Sequence, residues 1–141
     1  RREYLDFYSE AMFRRFGPAI HRLSPDCIIP VPVHKSRLKK RGFNQAEIVA
    51  KVLSENTGIA MDAGAVKRIK ATSPQKELGD KGRKRNIRGA FAVQKNIKGE
   101  NIVLIDDIYT TGSTLDEAAR VLKKAGAENV YFLTVSIGQG I

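Results

Sequence analysis

The 141-residue sequence predicts an α/β domain with a mostly parallel central sheet flanked by helices. Three observations carry this. Short apolar runs of strand character alternate with segments of helical period. Gly, Pro and Asn stand where those segments should start or stop. Apolar residues make up 42 % of the chain, a share and a length that suit one domain over residues 1–141 with an ordinary buried core.

The elements follow in order. Residues 3–23 read as an amphipathic helix, with Tyr4, Leu5, Tyr8, Met12, Phe16 and Ile20 near helical spacing, and residues 1–26 as an N-terminal helical segment. Gly17-Pro18 is placed to bend or break that helix. Residues 27–33 (Cys27, Ile28, Ile29, Pro30, Val31, Pro32, Val33) are a buried strand whose end the two prolines set. A basic loop follows at 34–42. Residues 44–57 read as a helix, with Asn44 as N-cap, Glu47 at the capping-box position and Gly58 closing the C-terminus. Ile48, Val49, Val52 and Leu53 supply its apolar face. Residues 65–70 look like a strand. Residues 71–88 carry Pro74, Gly79, Gly82 and dense charge, with Leu78 and Ile87 their only large aliphatics, and are expected to be a mobile loop. Residues 90–93 are a short strand, and 101–106 a buried strand ending in acids. Residues 113–125 form a helix with Leu115, Ala118, Ala119 and Leu122 inward, ended by Gly126. Residues 130–135 are a last apolar strand. No repeat and no dividing linker is visible.

Some classes are excluded at once. No stretch approaches the roughly 20 apolar residues of a membrane span. Arg1, Arg2, Glu3 and Asp6 interrupt any early apolar run, so no signal-peptide pattern opens the chain. The first residue is Arg, which fits a truncated or processed start. The one cysteine, Cys27, excludes an internal disulfide framework and a cysteine-based zinc site, and is expected in the core. This usage fits a reducing compartment, and a cytoplasmic location is the expectation.

The net charge of +10 is unevenly spread. Residues 35–41 and 67–88 hold 14 of the 25 Lys and Arg residues and only two of the 15 acids, Glu77 and Asp80. Those two segments carry +12 and the rest of the chain −2. A local basic field of this kind suits a polyanion: the phosphates of a nucleotide, pyrophosphate or nucleic acid. A solvated surface that only serves solubility has the same composition.

The strongest chemical pattern is Val103-Leu104-Ile105-Asp106-Asp107-Ile108-Tyr109-Thr110-Thr111-Gly112-Ser113-Thr114. An apolar strand delivers two carboxylates to its C-terminal edge, where ligands bind in open α/β sheets. A hydroxyl-rich turn follows, and then a helix begins. Gly112 lets backbone approach a ligand closely. Backbone N–H groups, four hydroxyls and the helix N-terminus together make a phosphate cradle. The preceding acids repel phosphate but suit sugar hydroxyls, or a hydrated Mg²⁺ beside phosphates. A sugar diol beside a phosphate means a ribose phosphate. The nucleotide P-loop pattern is absent. Capping by Ser113 and Asp116 alone would not account for two acids followed by four hydroxyls.

Residues 103–114 resemble the signature of type I phosphoribosyltransferases: four apolar residues, two acids, two variable positions, then Thr-Thr-Gly-Ser-Thr. The resemblance implies the type I phosphoribosyltransferase-like fold and binding of 5-phosphoribosyl-1-pyrophosphate (PRPP). It implies that Asp106 and Asp107 hold the ribose hydroxyls and that Thr110, Thr111, Gly112, Ser113 and Thr114 hold the 5′-phosphate. Mg²⁺ would be held through the ligand and water, with no metal site made of side chains alone. A pyrophosphate loop is implied after the first strand, at His34, Lys35, Arg37 and Arg41.

Proline-valine-proline, a basic loop and Arg41-Gly42-Phe43-Asn44-Gln45-Ala46-Glu47 resemble the ComF family, competence-associated proteins of phosphoribosyltransferase type. Gln75, Leu78, Arg83, Asn86 and Gly89-Ala90-Phe91 add to this resemblance, which runs from about residue 27 to the end. It implies that residues 71–88 close over PRPP and exclude water, with Gln75, Arg83 and Asn86 as loop residues. Arg83 is implied as catalytic with Asp106 and Asp107. Lys84, Arg85 and Arg88 are further candidates for stabilising departing pyrophosphate. Two departures stand out. The cysteine-rich N-terminal zinc module of such proteins is absent from this chain. Thr110 replaces the carboxylate of hypoxanthine-type salvage enzymes, which disfavours that route.

Two functional readings stay open. One is an enzyme that transfers phosphoribose from PRPP to an unidentified acceptor. The other is a non-catalytic module that senses PRPP and binds single-stranded DNA, with competence-machinery proteins as partners. Aromatics near the basic segments are few, Phe43 and Phe91 being the nearest, so phosphate contacts would dominate DNA binding. A degenerate scaffold would not need the acidic–threonine–glycine stretch.

Overall fold

The computed structural model describes residues 14, 17–33, 39, 44–70, 87–106 and 113–134. Seven elements lie in that span: β1 (Cys27–Pro30), α1 (Gln45–Thr57), β2 (Val66–Arg68), β3 (Phe91–Val93), β4 (Asn101–Asp106), α2 (Ser113–Lys124) and β5 (Asn129–Thr134). Residues 17–23 are also helical, including Gly17 and Pro18, and Ser24 closes the stretch in a left-handed conformation with φ 47°. Arg14 is helical as well; the other residues of the expected 3–23 helix lie outside the described residues, as do most of the 71–88 segment and the end of the 130–135 strand.

β1, β4 and β5 form a parallel sheet in the order β1-β4-β5, with Pro30 opposite Ile105 and Asp106 opposite Thr134. Pro30 fits because of strand parity. Val31 donates its N–H to the Ile105 carbonyl at 2.8 Å, whereas Ile28 donates to Ala60 on the other side at 2.8 Å. Pro30 shares the parity of Ile28, so its missing N–H removes nothing from the β4 ladder.

Alternation along the strands splits the core into two layers. Ile28, Val103 and Ile105 face α1, whose Ala46, Val49, Ala50 and Leu53 are buried against them, together with Ile20. Cys27, Ile29, Ile102 and Leu104 face α2, whose Leu115, Ala118 and Leu122 are buried there. Each fully buried Leu or Ile contributes roughly 1.5–3 kcal/mol. Ala119 is half-buried against the same cluster.

α1 has the ends its sequence predicts. The Asn44 Oδ1 accepts the Ala46 N–H at 3.0 Å, and Gly58, with φ 78°, donates to the Ser54 carbonyl at 2.9 Å. α2 is described from Ser113 onward, and Asp116 stands in its first turn.

One feature departs from a mostly parallel sheet. β2 and β3 form a separate antiparallel pair, with Arg68 opposite Phe91. Ala65, Val66, Ile87, Ala90 and Phe91 bury this pair in the α2 layer. Cys27 is 3 % exposed in that layer, and burial pushes its thiol pKa up, as an inert core cysteine requires.

Candidate ribose-phosphate site

The connections of two neighbouring strands leave the sheet in opposite directions. The chain after β1 reaches α1 on one face, and the chain after the adjacent β4 reaches α2 on the other. Such a divergence opens a crevice at the carboxyl ends of the strands, the place where open α/β sheets bind ligands.

Asp106 is the last residue of β4 and stands half-buried at that edge. It shares the parity of Ile102 and Leu104 and so lies on the α2 face. Ser113 opens α2, and Thr114 is half-buried in its first turn. Both flanks of the acidic–threonine–glycine stretch are thus in the arrangement its sequence predicts: acid at the strand end, helix N-terminus on the same face. Asp107, Thr110, Thr111 and Gly112 lie outside the described residues.

The expected pyrophosphate-loop residues His34, Lys35, Arg37 and Arg41 also lie outside them. The flanks of that segment are described. The Asn44 Nδ2 donates to the Val31 carbonyl at 3.2 Å, so one side chain joins the start of the segment to the helix that follows it. Gln75, Arg83 and Asn86 lie outside the described residues as well, with both flanks of their segment brought together by β2 and β3. Ile69 donates its N–H to the Ala90 carbonyl at 2.7 Å, and the Arg68 guanidinium lies over the Phe91 ring, 5.5 Å from its centroid. Arg88 is exposed beside this junction.

A carboxylate that no sequence motif marks ties the junction to α2. Glu117 is 5 % exposed. Its Oε2 accepts the Gly89 N–H at 3.0 Å, and Arg120 donates to both carboxylate oxygens, from Nε at 2.8 Å and Nη2 at 2.7 Å. The Arg120 guanidinium holds the Glu117 carboxyl below its ordinary pKa, and burial opposes the effect. The sequence signal was a Glu-x-x-Arg spacing on a helix, which looks the same when both partners are on the surface.

Among the described residues no three His, Cys, Asp or Glu side chains come together as a metal cage. Asp106 supplies one half-buried carboxylate at the edge, a donor set that fits a hydrated Mg²⁺ held mainly by a ligand's own oxygens. No helix among the described residues is long and apolar enough to cross a membrane.

The strand edge and helix start described here suit a phosphoribosyltransferase-type domain, and comparison with known proteins shows that family. The phosphoribosyl transferase domain model matches residues 37–137, and the chain belongs to that family. Its relatives are of the ComF type. Competence protein F of Haemophilus influenzae is 41 % identical over 114 residues, 78 % of this chain and 50 % of that protein. The DNA utilization protein YhgH of Escherichia coli K12 is 40 % identical over 106 residues, 75 % of this chain and 47 % of that one. Competence protein ComFC of Bacillus subtilis is 34 % identical over 126 residues, 85 % and 49 %. The chain spans about half the length of these curated relatives.

Solved structures show the same fold. A purine phosphoribosyltransferase from Pyrococcus horikoshii covers 94 % of this chain and 78 % of its own, with a TM-score of 0.58 at 20 % identity. An adenine phosphoribosyltransferase from Leishmania tarentolae covers 96 % and 57 %, with a TM-score of 0.55 at 18 % identity.

Proposed function

We propose that this domain binds PRPP at the carboxyl edge of its parallel sheet and transfers phosphoribose to an acceptor, with pyrophosphate leaving. One observation supports this above the others: Asp106 ends the buried strand beside the β1–β4 divergence, on the same face as the N-terminus of α2. Asp106 and Asp107 accept hydrogen bonds from the ribose hydroxyls. Thr110, Thr111, Gly112, Ser113 and Thr114 receive the 5′-phosphate, which the helix N-terminus favours. His34, Lys35, Arg37 and Arg41 face the pyrophosphate, and Arg83 stabilises its charge as it departs. Gln75 and Asn86 belong to the segment that excludes water from the activated ribose. Mg²⁺, when bound, supplies charge neutralisation on the pyrophosphate. The protein's own contribution is to position and to screen, with no covalent step on the chain.

The relatives' names, competence protein and DNA utilization protein, support a role for this chemistry in the uptake and use of DNA; the reading is completed by a cytoplasmic location and competence-machinery partners. The charge of +12 concentrated in two segments supports a second reading, in which the domain senses PRPP and holds single-stranded DNA without turnover.

A thermal-unfolding series tests the shared premise. Saturating PRPP with Mg²⁺ should raise the wild-type Tm, as any ligand that binds only the native state does, and Asp106→Asn should lose most of the rise. A folded wild type with no rise would overturn both readings. Pyrophosphate release that depends on an added acceptor would then separate the enzyme from the sensor.

A further inference from the structure

We infer that Glu117 is a positioning residue, whose carboxylate holds the chain at Ile87–Ala90 in register with the helix that follows the acidic–threonine–glycine stretch. The inference rests on the PRPP-binding reading above and says how two of its parts are joined.

The two expected ligand segments are far apart in sequence but share α2. The acidic–threonine–glycine stretch runs into its first residue, Ser113. Glu117 stands four residues later, about 6 Å further along the helix axis. From there it reaches across 28 residues of sequence to the Gly89 N–H. Gly89 follows directly on Ile87 and Arg88, where the basic 71–86 segment ends.

The surroundings make this contact directional. Gly89 has φ 74°, a left-handed turn that an L side chain rarely adopts. Ile87 is 2 % exposed and Ala90 is fully buried, so the turn is seated on the core on both sides of Gly89. Ala90 accepts from Ile69, which ties the start of the same segment to its end. On the other side, Arg120 grips both carboxylate oxygens and leaves the Glu117 side chain little freedom.

Packing alone does not call for an acid here. The stripe Leu115, Ala118 and Leu122 already anchors α2, and buried ion pairs can often be replaced by apolar residues without loss of stability. What a carboxylate adds is a bond to one particular backbone N–H. That bond sets the end of the basic segment relative to the phosphate-binding end of α2. A ligand that spans both, such as PRPP, needs this register. A ligand that occupies only the phosphate end does not.

The test compares PRPP with ribose 5-phosphate, both with Mg²⁺, on Glu117→Ala and Glu117→Gln, alongside amide hydrogen exchange. In Glu117→Ala we expect faster exchange at Gly89 and its neighbours, with the β4 amides unchanged. We expect PRPP affinity to fall about tenfold, the worth of one charge-assisted hydrogen bond, while ribose 5-phosphate affinity stays within about twofold. Glu117→Gln keeps an oxygen that can accept the Gly89 N–H and should recover most of the difference. Should Glu117→Ala fail to fold, Arg120→Ala releases the carboxylate and should shift the same ratio in the same direction. Equal loss for both ligands, an unchanged PRPP affinity, or unchanged exchange at Gly89 would overturn the inference while wild-type PRPP binding kept the function standing. A folded wild type that binds neither ligand would overturn the function, and the inference with it.

Discussion

The Asn44 side chain joins Val31 to α1: its Nδ2 donates to the Val31 carbonyl at 3.2 Å while its Oδ1 caps the helix through the Ala46 N–H at 3.0 Å. One amide thus holds both ends of the first basic segment. Asn44→Ala removes the cap and leaves a buried carbonyl without that donor. We expect a loss of about 1–2 kcal/mol in urea unfolding. Asn44→Asp keeps the capping oxygen but not the donor to Val31, and should lie between the two. Equal stability of Asn44→Ala and wild type would contradict this account of the β1–α1 connection.

Two glycines end the helices, with different surroundings. Gly58 (φ 78°) has open space where a Cβ would go. At Gly126 (φ 107°) a Cβ would lie 3.3 Å from the Lys98 Cα and 3.2 Å from its Cγ. Gly58→Ala should therefore cost only the left-handed strain, roughly 1–2 kcal/mol. Gly126→Ala adds a tight approach to Lys98, which must give by a few tenths of an ångström, and should cost more. Denaturation midpoints of the two variants check the order, and the reverse order would contradict it.

The buried Glu117 gives the fold an acid-sensitive contact. Arg120 and the Gly89 N–H favour the charged form, so the native pKa lies below the ordinary carboxylate value. The unfolded chain then binds the proton more readily, and stability rises with pH through this window. The contribution is complete above the ordinary carboxylate pKa and is lost as pH falls through the native one. The stability gap between wild type and Glu117→Gln should thus be widest near neutral pH and shrink in acid. A gap that stays constant from about pH 7 down to about pH 3 would show that the carboxylate charge contributes nothing.

Binding of single-stranded DNA separates the second reading from the first. If the two basic segments hold a strand, affinity should fall steeply with salt, with a slope near −0.7 for each phosphate neutralised. Replacing Lys67, Lys70 and Arg88, all exposed, should flatten that slope by about the number of contacts removed. Weak binding with no salt dependence would remove DNA from the account.

Much of the fold was legible in the sequence, because its signals are local. The β4 boundaries, the Asn44 cap, the Gly58 end of α1 and the inward stripe of α2 follow from periodicity and capping chemistry. What escaped was set by pairing over distance. Nothing in Val66–Arg68 or Phe91–Val93 announces that they pair with each other and leave the parallel sheet. Glu117 carries a surface-like pattern, and only the fold reveals that it is buried against Gly89, 28 residues away. Phe132 shows the opposite case: it reads as core in an apolar strand but is 46 % exposed on the last described strand of the sheet. Of the site itself, the strand-acid and helix-start ends were legible because the motif is contiguous.

The most direct test of the central claim is calorimetric titration with PRPP, with and without Mg²⁺, on wild type and on the Asp106→Ala/Asp107→Ala double variant. The account predicts Mg²⁺-dependent binding to wild type that the double variant loses while keeping its fold. A well-folded wild type that takes up no PRPP under either condition would contradict it.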